Sequence, residues 1–154
     1  MDNRTFRDAM GKFATGITIV TTDVAGETKG MTVNAFMSVS LEPKLIAVSI
    51  DKKASLYDIL QTNPTFGVSV LKEEQKDVSM VFAKQKVQKE PVAITMLQDV
   101  PVVDGALVNL ACKAVDKVIA GDHVIIIGEV EDLVLRDGDP VLYFGGNYRE
   151  IKSI

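Results

Sequence analysis

The chain has 154 residues, 47% of them hydrophobic, and a net charge of −4: enough apolar material for one folded domain, and too acidic for a general binder of nucleic acid or membrane surfaces. One cysteine, Cys112, and one histidine, His123, exclude an internal disulfide and a metal site built on several thiolates or imidazoles. The opening "MDNRTFRDAM" has no apolar signal core, and no run approaches the roughly 18 residues of a membrane span, so the chain reads as cytoplasmic.

From the N-terminus, "NRTFRDAMGKFA" (3–14) spaces Phe6, Met10 and Phe13 along one helical face, with Asp2 or Asn3 as the cap. Gly16 ends that helix, and "ITIVTT" (17–22) is a strand. The turn "DVAGE" (23–27) leads into "GMTVNAFMSVSLEP" (30–43), so these two strands form a hairpin. In the second, Met31, Val33, Ala35, Met37 and Val39 alternate with Thr32, Asn34, Ser38 and Ser40, and only Phe36 falls out of step. The polar face carries no charge. It reads either as a solvent-facing strand or as a cleft wall of hydroxyls and an amide.

"KLIAVSID" (44–51) is a nearly continuous apolar run, expected of a central strand. Ser55 opens a helix, "SLYDILQT", with Asp58 at capping-box spacing, and Asn63-Pro64 ends it. "FGVSVL" (66–71) is a strand. "KEEQKDVSMVFAKQ" (72–85) is a helix with Val78, Val81 and Phe82 on one face, and "KQKVQKEP" (84–91) is a polar loop. "VAITML" (92–97), "ALVNLACKAVDKVI" (106–119), "DHVIIIGEVEDLVL" (122–135) and "PVLYF" (140–144) complete the strands. About seven short strands with three short helices predict a single mostly β domain over residues 1–154, a closed or partly open, largely antiparallel barrel.

No G-x-G-x-x-G follows a strand, and there is no P-loop, G-x-S-x-G or H-E-x-x-H. Four weaker features remain. The uncharged row Thr32, Asn34, Ser38, Ser40 is the first. In "SIDKKAS" (49–55) a strand runs into a helix start beside Lys52, Lys53 and Ser55, where free N–H groups and positive charge suit a phosphate; an ordinary capped surface helix looks the same. His123 opens a very apolar strand in "AGDHV", where a structural histidine is as ordinary as a functional one. In "YFGGNYR" (143–149) the paired glycines permit close backbone approach, and Tyr148 can stack; a plain turn is the alternative.

Taken together, "FRDAMGKFATGITIVTT", "GMTVNAFMSVSLEPKLIAVSIDKKAS", "FA" (82–83), "AGDHVIIIGEV" and "PVLYFGGNY" resemble, in this order, the short-chain flavin reductases. These are the reductase components of two-component aromatic monooxygenases, and the likeness extends to the phenol 2-monooxygenase type. It covers residues 2 to 150. The resemblance implies a flavin-binding split β-barrel with a few short peripheral helices, a homodimer with flavin sites near the subunit interface, FAD (or FMN) as cofactor and NADH as reductant. It also implies an oxygenase partner that receives reduced flavin. By position, Thr32, Val33, Asn34, Ala35 and Ser38 line the isoalloxazine ring and Ser49, Ile50 and Asp51 continue that wall. Lys52, Lys53 and Ser55 lie at the phosphate end, and Phe82 and Ala83 also touch the flavin. His123, Gly145, Gly146, Asn147 and Tyr148 flank the nicotinamide, with His123 positioning it.

That reaction fits the missing motifs. Hydride passes between two bound ring systems, so the protein supplies position and electrostatics rather than a nucleophile or a metal. The absence of an arginine cluster for a 2′-phosphate favours NADH over NADPH. Competing readings are a non-catalytic flavin or haem-binding module on the same barrel, an electron-transfer flavoprotein, and an oxidase resembling the pyridoxamine-phosphate group.

Overall fold

A computed structural model describes residues 1–154. The chain is mostly β. Helix α1 (Asn3–Met10) is followed by β1 (Thr15–Gly16), β2 (Thr18–Val24), β3 (Glu27–Val33), β4 (Phe36–Leu41) and β5 (Lys44–Asp51). Then come α2 (Ser55–Thr62), β6 (Thr65–Val70), α3 (Lys76–Phe82), β7 (Ile94–Leu97) and β8 (Val100–Val103). Two long strands, β9 (Val108–Ala120) and β10 (His123–Leu135), precede the short β11 (Leu142–Phe144) and β12 (Asn147–Arg149). No helix is long and apolar enough to cross a membrane.

Seven strands form one sheet in the order β3-β2-β6-β9-β10-β5-β4, every neighbour antiparallel. Its two edge strands, β3 and β4, are consecutive in sequence and joined only by Asn34 and Ala35. So short a link forces the sheet to curl until its edges meet at that corner. One core fills the concave side: Val20, Val33, Val48, Ile50, Phe66 and Ile126 pack with Leu56 and Leu60, the i and i+4 positions of α2. A second cluster, around Ile17, Ile19, Leu71, Val103 and Val141, lies on the opposite face of β2, under Val78 and Phe82 of α3 and Tyr143 and Tyr148. Both faces of β2 are therefore covered, which is why Thr18 through Thr22 are all buried.

The structure corrects several boundaries. The expected strand over 30–43 is two strands on opposite sheet edges, paired to β2 and to β5. The link shifts the phase of alternation. Val33 points into the core before it, Phe36 packs on the core after it, and Met37, Val39 and Leu41 are exposed. The residue that broke the sequence pattern is the one the second strand turns inward. Helix α1 stops at Met10, its C-cap at Gly11 rather than Gly16, and Asp2 caps its start through Thr5 N–H at 2.7 Å. Ser55 makes no capping bond, and the N-cap position belongs to Ala54. The expected helix 72–85 is a 3₁₀ turn at Glu73–Gln75 followed by α3. A hairpin partner for 92–97 (β8) and a return strand after the paired glycines (β12) carried no sequence expectation.

Candidate functional site

The site is built around the corner where the sheet edges meet. Asn34 and Ala35 are exposed, and the link is held by Phe36 N–H donating to Asn34 O (3.0 Å) and Ser49 N–H donating to Ala35 O (3.0 Å). A cleft of about 960 Å³ opens beside it. Its walls are Asn34 and Ala35, the C-terminal end of α1 (Arg7, Asp8, Met10) with the Gly11–Phe13 turn after it, Thr15, Tyr143, and the Gly145–Gly146 turn. That turn has φ of +59° and +80°, a left-handed conformation that glycine adopts without strain, and Gly145 N–H donates to Gly11 O at 2.8 Å. The β11–β12 hairpin is thereby pinned against the end of α1.

A smaller recess of about 170 Å³ shares Asn34 and Tyr143 with the cleft and adds Thr32, Ser79, Ala83, Gln85 and Tyr148. The two together give an apolar and aromatic floor with hydroxyls, amides and backbone at the rim. No three His, Cys, Asp or Glu side chains converge anywhere in the chain. Cys112 is buried in the core, and burial pushes its thiol up to about 12, which keeps it protonated and inert.

A second group of residues sits where β5 and β10 end together. His123 pairs in register with Asp51. Its Nδ1 lies 2.8 Å from Asp122 Oδ1, and the His123 contact, followed by the charge of Lys53, holds the Asp122 carboxyl below the usual carboxylate range. Lys52 N–H donates to Asp122 O, and Lys53 N–H to Asp51 Oδ1. Neither lysine ammonium is in a salt bridge. Because Ala54 cannot cap α2 through its side chain, the first-turn N–H groups of that helix keep no side-chain acceptor. A vacant helix N-terminus with two unpaired lysines and the Ser55 hydroxyl attracts an anion.

The residues singled out from the sequence thus fall into two clusters. Thr32, Asn34, Ala35, Ala83, Gly145, Gly146 and Tyr148 line the cleft and its recess. Ser49, Asp51, Lys52, Lys53, Ser55 and His123 surround the β5–α2 junction, joined to the first cluster through the Ser49–Ala35 bond. Val33 and Ile50 are buried, so only their main chain is available to a ligand. Phe82 packs over Gly30 of β3, where any larger residue would strike its ring at 2.7 Å. Ser38 and Asn147 are exposed and line neither cavity.

Sequence reasoning passed over Arg7, Lys12, Thr15, Ser79 and Gln85. Arg7 lies in the amphipathic helix α1 and Lys12 in the turn just after it, where charge is unremarkable. Thr15 is the more telling omission: its Oγ1 is buried with no protein partner and belongs to a residue lining the cleft. Buried hydroxyls are nearly always bonded, so this one awaits a ligand or water. An orphaned hydroxyl, an amide-bearing rim, and an open helix N-terminus beside free lysines match what a flat, amide-edged ring carrying a phosphate tail requires.

Comparison with known proteins agrees. The profile of the flavin reductase like domain matches residues 10–152. An NADH-dependent flavin reductase of Rhodococcus sp is 40% identical over 151 residues, 96% of this chain and 86% of its own. The reductase component of the 4-hydroxyphenylacetate 3-monooxygenase of Thermus thermophilus is 39% identical over 147 residues, covering 95% of each chain. Among solved structures, the flavin reductase PheA2 in its native state superposes with a TM-score of 0.97 at 46% identity, over 99% of this chain and 100% of that one.

Proposed function

The chain belongs to the flavin reductase-like family, and on that premise we propose that it is an NADH-dependent flavin reductase acting as one domain over residues 1–154. It reduces FAD, or FMN, for a separate oxygenase that attacks phenol or another aromatic compound. The observation that carries this reading is the corner at Asn34–Ala35: two sheet edges, α1 and the Gly145–Gly146 turn meet around one cleft large enough for a tricyclic ring. When bound, flavin accepts hydride from the nicotinamide and carries the reducing equivalents away.

The chain's own residues hold and orient. Asn34, Thr32 and the Ala35 main chain meet the polar edge of the ring, continued by the Ser49–Asp51 backbone. Lys52, Lys53, Ser55 and the α2 N-terminus take the phosphate. Arg7 and Lys12 raise the potential around a ligand that gains negative charge on reduction. Ala83, Gly145, Gly146 and Tyr148 border the nicotinamide side, and His123, held by Asp122, orients that substrate. On this assignment His123→Ala raises the KM for NADH several-fold, about 1 kcal/mol for one hydrogen bond, while flavin affinity stays within twofold of wild type (~2). Steady-state kinetics with an unchanged NADH dependence would remove His123 from the site.

We also propose a homodimer. Met37, Val39 and Leu41 of edge strand β4 are exposed apolar side chains, more than a lone chain keeps in water along one edge strand without cause. Light scattering should give twice the 16.7 kDa chain mass; a monomer at micromolar concentration refutes the dimer. A need for NADH supports a cytoplasmic location. The direct test of the activity is NADH consumption by the purified chain with and without added FAD or FMN. Consumption that depends on flavin supports the reading, and a chain inert with both flavins refutes it.

A further inference from the structure

Ser79 is the only buried residue of α3, 1% exposed, and it is polar. A hydroxyl so enclosed must be hydrogen bonded. Its two polar groups reach different elements. The Ser79 carbonyl accepts the closing helical bond from Ala83 N–H (3.0 Å) and a second bond from Thr32 Oγ1 at 2.6 Å. Its Oγ lies 3.0 Å from Tyr148 Oη. One residue therefore ties β3, an edge of the seven-stranded sheet, to β12 of the separate three-stranded sheet.

Tyr148 is gripped from other sides as well. Lys76 Nζ stands 5.6 Å over its ring, and Tyr143 meets it edge-on at 5.7 Å and 71°. The phenol hydroxyl also faces Gln85 Oε1 at 3.5 Å. Gln85 is held in place by the end of α3, where Lys84 turns left-handed (φ 59°) and Gln85 N–H returns to Met80 O at 2.9 Å. The 3.0 Å contact between the two hydroxyls is the short one of the pair, and either hydroxyl can donate across it. Thr32, Gln85 and Tyr148 all line the 170 Å³ recess that opens from the cleft at Asn34.

We infer that Ser79 is a positioning residue that sets the width of this recess, holding Thr32 on one wall and Tyr148 on the other at the spacing that admits the carboxamide-bearing ring of the nicotinamide dinucleotide. Ser79 lines the recess but is only 1% exposed, and it acts through these two walls because its own hydroxyl is bonded to Tyr148. The inference rests on the reductase reading and adds to it the group that sets the fit for the reductant.

The test is a double-mutant cycle on the flavin-loaded protein, with NAD⁺ binding read by calorimetry beside the KM for NADH. Ser79→Ala and Tyr148→Phe each weaken NAD⁺ binding and raise KM by about tenfold, with kcat within about twofold, the size of one lost buried hydrogen bond. Flavin affinity, read by fluorescence quenching, stays at the wild-type value in Ser79→Ala, because the Thr32 bond to the carbonyl survives. Since Tyr148→Phe already removes the contact that Ser79→Ala breaks, the double mutant is no weaker than Tyr148→Phe alone. Wild-type NAD⁺ affinity in Ser79→Ala, or losses that multiply to about a hundredfold in the double mutant, overturns the inference. Should Ser79→Ala melt too early to assay, Tyr148→Phe decides alone, and an unchanged NAD⁺ affinity there overturns it equally. A wild-type chain that binds no NAD⁺ in the same titration overturns the inference and the reductase reading together.

Discussion

Thr32→Val combined with Asn34→Leu weakens flavin binding by about 10- to 100-fold and leaves the chain folded. Each change removes one polar group from the rim of the cleft, and each lost hydrogen bond is worth about 0.5–1.5 kcal/mol. Folding is spared for different reasons at the two positions. Asn34 is exposed on the link between β3 and β4, and its side chain bonds to nothing in the protein. Thr32 does make a bond, to Ser79 O, but that carbonyl keeps its helical partner Ala83 N–H, and valine preserves the β-branched shape that the strand favours. Flavin fluorescence titration reads the affinity and thermal melting reads the fold. A double mutant that binds flavin as wild type does would return this row to a wet strand face.

Gly67→Ala loses about 1–3 kcal/mol of stability, and at this chain length the melting temperature falls by roughly 3–9 °C. A Cβ on Gly67 would sit 2.5 Å from Pro101 O, 2.7 Å from Thr21 Oγ1 and 2.7 Å from Val102 Cγ1. The carbonyl cannot step aside, because Pro101 O accepts the Thr21 hydroxyl and lies on β8, whose four residues are all buried. Its neighbour Ser69 adds to the clamp by accepting Val103 N–H at 2.9 Å. Glycine here lets the β7–β8 hairpin lie flat on the sheet. Urea denaturation measures the loss directly, and a midpoint equal to wild type would mean that the hairpin is free to lift. Gly67 lines neither the cleft nor its recess, so Gly67→Ala that still folds should bind flavin normally.

The contrast between these two sites explains what could be read from residues alone. Local pattern identified most strands, because each alternates or runs apolar for long enough to have one interpretation. It misread 30–43, because alternation persists across Asn34–Ala35 while the chain crosses from one sheet edge to the other. Phe36 was the visible symptom of that crossing. The capping-box spacing at Ser55–Asp58 was real, yet the bond is not made, and the open helix N-terminus suits an anion better than a capped one would. Thr32, Asn34, Ala35 and the glycine pair were identifiable because their segments resemble a family. Ser79, Gln85 and Thr15 were not: a serine inside a helix has no motif, and its importance comes from β3 and β12 arriving on either side of it. That meeting is set by sheet curl and by packing between residues 47 and 69 positions apart in the chain.

The central claim is that this cleft brings NADH and flavin together, and mixing the purified chain with FAD and NADH in the absence of oxygen tests it most directly. The account predicts that the visible absorption of the flavin bleaches within the mixing experiment and returns when oxygen is admitted, with no bleaching in the absence of protein on that timescale. Flavin that keeps its colour with NADH in excess, for FAD and for FMN alike, would contradict it.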